Sequence, residues 1–266
     1  MKRMNPASDA HAAYLKSLRR DARRIRLAQI GVLLFLLLIW ELGADLRWFD
    51  PFILSSPSRV IATIARLYAD GSLWVHIGTT LFETVLGFLL GTVLGALAAV
   101  LLWWLPKLNR ILDPYLVVLN ALPKIALGPV LIVWIGAGTA SIVVMGVLVS
   151  LVVTTVTVLN GFLTATDEKQ LLMRTLGATK LQIFTKVVLP AGVPDLISAL
   201  KISVGMSWVG VIVGEYLVSK AGLGYLIVYG WQVFKLDLVM ASVTILCVLA
   251  ALMYYAVAFL EARVRQ

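Results

Sequence analysis

Few side chains in this 266-residue sequence have the type and spacing that covalent chemistry needs. The histidines, His11 and His76, lie far apart on predicted opposite faces, so they form neither a metal cluster nor, with the lone Cys247, a nucleophile pair. Cys247 sits in an apolar run and reads as a packing residue. No Gly-x-x-x-x-Gly-Lys-Ser/Thr segment occurs, which excludes ATP hydrolysis by a phosphate-binding loop in this chain. The chemistry left to it is solute contact. Lys124 carries the charge to attract an anion, or to snorkel to an interface. Glu215 could meet a partner or form an ion pair. Asn120, Thr154, Ser203, Ser207 and Trp208 supply polar atoms for a passage, as do Ser150, Thr155 and Thr157; hydroxyls in apolar helices equally bond their own backbone or a neighbouring helix. An ionised group at a bilayer centre costs about 2.5–3.5 kcal/mol on insertion scales, so Glu41 and Glu83 are expected at interfaces.

The elements that position these groups read as membrane helices. Apolar residues make up 61% of the chain and mean hydropathy is +0.95, against about 45–50% apolar content in soluble domains. Apolar runs near 20 residues predict six spans, at 27–46, 77–105, 114–136, 139–163, 191–218 and 236–260. Alternating strand patterns are missing, so an all-α polytopic bundle is expected. Six spans put both termini on one side with 106–113 and 164–190; these segments hold 16 basic residues and the opposite loops five, which predicts cytoplasmic termini. The basic segment 1–26 is expected to carry a helix along the membrane surface over 10–26, preceding a membrane domain at 27–266. Its charge is explained by anionic lipid; it lacks the aromatic interleaving of a nucleic-acid site and the short charged region of a cleaved signal peptide.

Two spans carry further features. Gly87, Gly91 and Gly95 form overlapping Gly-x-x-x-Gly steps, a flat seam where another helix of the bundle, or another subunit, can approach closely. The third span holds Pro123, Lys124 and Pro129, a broken helix of the kind tolerated where it lines a cavity or is buried in protein.

Residues 166–190 are the substantial polar interruption in the second half of the chain, and their punctuation is that of a helical hairpin. Asp167 with Gln170 can cap a first short helix, Gly177 can end it in the left-handed conformation, and Thr179 with Gln182 repeats the capping box for a second helix stopping near Leu189–Pro190. Leu171, Leu172 and Leu176 on the first helix, and Ile183, Phe184 and Val187 on the second, form apolar stripes; Lys180 falls on the solvated side. This spacing resembles the cytoplasmic coupling loop of permease subunits of ATP-binding-cassette (ABC) importers, whose pattern is Glu-Ala-Ala, three residues, Gly, nine residues, Ile-x-Leu-Pro. Leu171, Leu172 and Met173 stand at the Glu-Ala-Ala positions, then Gly177, then Val187-Val188-Leu189-Pro190. The acidic residue of the pattern is replaced by leucine.

A second stretch is similar to the nitrate, sulfonate and taurine branch of the same type I importers: Pro123, Ala126 and Pro129, then Trp134, Gly136 and Gly138, and later Gly214-Glu215-Tyr216 with Ala221-Gly222-Leu223-Gly224-Tyr225. The resemblance implies a homodimeric permease of the bacterial inner membrane with a pathway between its subunits. It also implies two copies of an ATPase subunit that bind ATP and Mg²⁺, which this chain does not, and an extracytoplasmic solute-binding protein. A small anion such as a sulfonate, taurine or nitrate is the expected solute. The alternative is an ATP-independent carrier or channel; internal repeats with paired broken helices, which often mark carriers, are not evident.

Overall fold

A computed structural model describes residues 9–164 and 167–264. Their regular structure is all helical, with the α-helices α1 (Asp9–Asp45), α2 (Pro51–Leu54), α3 (Pro57–Ala69), α4 (Ser72–Trp104), α5 (Pro106–Ala121), α6 (Gly128–Ile135), α7 (Thr139–Thr164), α8 (Asp167–Thr175), α9 (Lys180–Ile183), α10 (Leu189–Val218), α11 (Leu223–Gln232) and α12 (Leu236–Val264). Five stretches are long and apolar enough to cross a membrane: Tyr14–Asp45, Ser72–Trp104, Thr139–Thr164, Lys180–Val218 and Leu236–Arg263.

Three expected boundaries change. The basic segment and the first span are one unbroken helix, α1, with no joint at residue 26; what the segment does at a lipid surface is a separate matter. The third span is a bent pair: α5 and the stretch Lys124–Ile135 meet at 89°. Pro123 causes the break, because it has no N–H to donate and pushes Leu122 into extended backbone (φ −65°, ψ 133°). The fifth span starts at Lys180, not 191, because the second hairpin helix does not stop at Leu189–Pro190. Phe184–Val188 form a π turn in which the Leu189 N–H reaches back to the Phe184 carbonyl, and the helix runs on through Pro190 and Pro194. The wide turn makes room for a residue that cannot donate and whose ring crowds the preceding carbonyls.

The core lies along α7, which is packed between α4 and α10: 61% of its most apolar stretch is buried, against 11% for α1 and 12% for α12. Small residues permit this. A Cβ on Gly87 would lie 3.4 Å from Gly146 Cα, one on Gly91 3.0 Å from the Val147 carbonyl, and one on Gly95 2.8 Å from the Leu151 carbonyl. The seam therefore meets α7 of the same chain, one turn per step. Gly146 is approached from its other side by Gly210, whose Cβ would lie 2.8 Å from it, so three helices cross almost backbone to backbone. At the far end of the bundle from residues 164–190, Glu41 accepts the Ser58 N–H (2.9 Å) and hydroxyl (2.6 Å), while Asp237 accepts from Ser55 Oγ (2.7 Å) and Arg59 Nη2 (2.9 Å). These bonds tie α1, α3 and α12 together. Lys201, within a span, is ion-paired to Glu261 of α12.

Candidate functional site

The 167–190 hairpin is built by its caps. Gly177 has φ +76°; the Gly177 N–H bonds the Arg174 carbonyl (3.0 Å) and the Ala178 N–H the Met173 carbonyl (2.9 Å). That is a Schellman closure, which needs the left-handed residue that glycine supplies. Two residues later Thr179 Oγ1 accepts the Gln182 N–H (3.3 Å) and Gln182 Oε1 the Thr179 N–H (2.8 Å), the reciprocal capping box. The side chain of Asp167, expected to cap α8, lies outside the described residues.

Docking splits the two apolar stripes. On α9 and the π turn, Ile183 and Phe184 are buried against Trp103, Trp104 and Phe162, with Met173 and Ala178 packed on the same cluster. Lys180 is exposed, as expected, and its Nζ donates to the Trp104 carbonyl at the end of α4 (2.5 Å) and lies 5.3 Å from the Trp104 ring. A cation at a helix C-terminus satisfies an orphan carbonyl and complements the dipole. The α8 stripe has no such cover. Leu171 is 63% exposed, Leu172 60% and Leu176 74%, while Leu189 and Pro190 lie at the surface where α10 begins. The hairpin is thus clamped by one helix and presents the apolar face of the other.

The expected passage residues fall into two groups. Lys124 Nζ donates to the Asn120 carbonyl (3.1 Å), closing the end of α5. Asn120 lines a cavity of about 320 Å³ with Asp113, Leu116, Asn160 and others of α5 and α7. The rest are interior. Thr154 Oγ1 and Ser203 Oγ are 2.6 Å apart in a hydrogen bond joining α7 to α10; Ser207, Trp208 and Glu215 are also buried.

Glu215 explains the Gly214-Glu215-Tyr216 and Ala221–Tyr225 motifs. Its carboxylate accepts the Gly224 N–H (2.6 Å), while Thr80 Oγ1 accepts the Leu223 N–H (2.7 Å) and His76 Nδ1 the Gly222 N–H (3.0 Å). Side chains of α4 and α10 thus take three successive N–H groups where α11 begins. Gly222 has φ +118° and gives the carboxylate room, since a Cβ there would run into it. Glu83, expected at an interface, is instead fully buried on the same face of α4. The roles of His76, Thr80 and Glu83 were missed, although the signal was present: 76, 80, 83, 87, 91 and 95 keep helical spacing and share the face of the glycine seam.

Comparisons with known proteins agree with this geometry. The family described as "Binding-protein-dependent transport system inner membrane component" matches residues 91–266. A probable ABC transporter permease protein of Haemophilus influenzae is 35% identical over 234 residues, covering 87% of this chain and 92% of that protein. The formylaminopyrimidine transport permease protein ThiX of Halalkalibacterium halodurans is 32% identical, covering 86% and 90%. The taurine transport system permease protein TauC of Escherichia coli is 24% identical, covering 91% and 90%. Among solved structures, an inward-facing form of the MetNI methionine ABC transporter aligns with TM-score 0.64 at 23% identity, over 76% of this chain and 98% of that chain. At that identity the likeness is one of fold.

Proposed function

Because the chain belongs to the family of binding-protein-dependent transport system inner membrane components, a multi-pass permease subunit of an ABC importer, we propose that it pairs with a second copy of itself and is driven through α8 by two copies of a separate ATPase. ATP and Mg²⁺ belong to that partner, whose hydrolysis moves this chain, and a solute-binding protein delivers solute on the opposite side. The observation that carries the reading is the capped hairpin with its apolar α8 stripe uncovered: Leu171, Leu172 and Leu176 offer an apolar surface on an element that its own chain holds rigid. The 16-to-5 distribution of basic residues supports a cytoplasmic position for this hairpin and for both termini, in a bacterial inner membrane.

The test is co-purification. Leu172→Asp places a charge on the stripe without touching the clamp on Trp103 and Trp104, so the permease should insert normally while the co-expressed ATPase is lost and ATP-dependent uptake in vesicles falls. Retention of the ATPase and of full uptake would remove α8 from the coupling role.

For the solute we carry forward a small anion such as a sulfonate, taurine or nitrate, supported by Lys124 beside the Asn120 cavity and by the taurine and sulfonate relatives. A heterocyclic solute is the second reading, favoured by the relative named for formylaminopyrimidine transport. Titrating the partner binding protein with taurine, alkanesulfonates, nitrate and a formylaminopyrimidine separates them: only the class that binds is retained.

A further inference from the structure

The hairpin encloses a cavity of about 400 Å³ against the ends of α4 and α5. Gln170 and Arg174, one turn apart on α8, line it, and helical spacing sets them on the opposite side of α8 from Leu171, Leu172 and Leu176. Lys180 lines it from α9, held by the Trp104 carbonyl and 5.7 Å from the Trp103 ring. The lining therefore carries two cations and no carboxylate. The Arg174 guanidinium enters neither a hydrogen bond nor an ion pair among the described residues. Asp113 of α5 lines the separate Asn120 cavity, and Glu168 falls on the leucine side of α8. Most of the remaining lining is apolar, with Leu102, Trp103, Leu163 and Ile183. Trp103 and Trp104 end a helix of membrane-spanning length, the position at which tryptophan sits level with lipid headgroups.

We propose that this cavity seats the headgroup of an anionic phospholipid, with its phosphate between Arg174 and Lys180 and the first carbons of its chains on the apolar lining. A phosphodiester is an acceptor of the charge-assisted bonds that a guanidinium and an ammonium give, and Arg174 has its whole fork to offer. A free inorganic anion would satisfy the same cations but gain nothing from Leu102, Leu163 and Ile183, whereas a lipid matches both halves of the lining. Basic pockets between helices at the membrane surface are where such headgroups bind. The seated phosphate spans the Gly177 turn, joining α8 to α9, so it braces α8 from behind while the leucine stripe stays uncovered. The inference rests on the membrane-spanning reading of the chain, and not on the solute or on the coupling role of α8.

The test uses the full-length permease without any ATPase, in phosphatidylcholine nanodiscs doped with a phosphatidylglycerol that carries a photoactivatable group at the headgroup end of one chain. The basic segment 1–26 also draws anionic lipid, so the readout is the position of the crosslinks and not the amount of lipid bound. Crosslinks should map to 102–109 and 163–183. Arg174→Gln should lower them there about five-fold, the weight of one basic residue near an anionic surface, and Arg174→Lys should keep most of them. The thermal midpoint of Arg174→Gln in pure phosphatidylcholine should match the wild type, since its side chain has no protein partner to lose. Neutralising Arg20, Arg23 and Arg24 should leave the hairpin crosslinks in place. Crosslinks confined to 1–26, a yield unchanged in Arg174→Gln, or equal labelling by a photoactivatable phosphatidylcholine would refute the headgroup site. Inorganic phosphate that abolishes the hairpin crosslinks and raises the midpoint of the wild type but not of Arg174→Gln would assign the cations to a free anion and overturn the lipid.

Discussion

Gly177 is the residue whose replacement separates backbone geometry from packing. Its φ is +76°, and a Cβ placed on it meets no heavy atom within 4 Å, so substitution meets no steric barrier within the chain. What remains is the intrinsic cost of a left-handed backbone, roughly 1–2 kcal/mol for an ordinary residue and more for a β-branched one. Converted into populations, that is about 5- to 30-fold against the hairpin as drawn. A Gly177→Val chain keeps its membrane helices, because the core along α7 is remote from the turn, but α8 leaves its capped angle. Gly177→Asn is the control, since asparagine tolerates the left-handed region. The assay is ATPase co-purification and ATP-dependent uptake in reconstituted vesicles, normalised to inserted permease. Val should lower both several-fold, Ala less, and Asn least. Full activity in Val would refute the claim that the Schellman turn sets the angle of α8; Asn as damaging as Val would mean that bulk against a partner, not φ, is what matters.

Gly91→Leu should lower the yield of folded permease, because even its Cβ would crowd Ser150 and lie 3.0 Å from the Val147 carbonyl; overpacking of that kind costs about 1–3 kcal/mol. Gly205→Ala is the matched control, with nothing within 4 Å of its Cβ, and should be neutral or stabilising in the same thermal assay. Lys180→Ala should cost about 1 kcal/mol through the lost carbonyl bond and ring contact, seen as a lower thermal midpoint, while Lys180→Arg restores part of it. In a Cys247→Ala background, Glu168→Cys should resist a membrane-impermeant thiol reagent in intact cells and react in inverted vesicles; labelling from outside would reverse the proposed orientation.

What was legible in the sequence followed from local rules. The left-handed Gly177, the Thr179–Gln182 box and the spans at α4, α7 and α12 each depend on residues within a turn or on hydropathy, and each stands in the structure. The misreadings share a cause. Pro190 reads as a stop because proline breaks an α-helix, but a π turn upstream lets the helix continue. Lys180 is exposed, as its polar helix face implies, but that face does not show that the end of α4, 76 residues away in sequence, supplies the carbonyl it bonds. Glu83 reads as interfacial on its solvation cost, but the packing of α4 against α7, α10 and α11 buries it fully. Contacts at long sequence separation were the information that periodicity could not carry.

The π turn also decides how the two ends of the molecule are connected. Lys180–Val218 is a single helical stretch of 39 residues, about 58 Å at 1.5 Å per residue, with the hairpin clamp at one end and Glu215 near the other. Had the helix stopped at Pro190, a loop would separate α9 from α10, and displacement of α8 would be absorbed there. Instead the non-helical link between Leu171 and Leu172 on α8 and the Lys180–Val218 stretch is 176–179, and its angles are held by the Schellman bonds and the capping box. The middle of α10 is pressed against α7 through Gly210 and Gly214, where close backbone contact leaves little room to bend. Force applied to α8 under the proposed function therefore reaches Glu215 along one body rather than through a chain of joints, which is why a polar interruption of this kind must be capped at both helix ends rather than left as a slack loop.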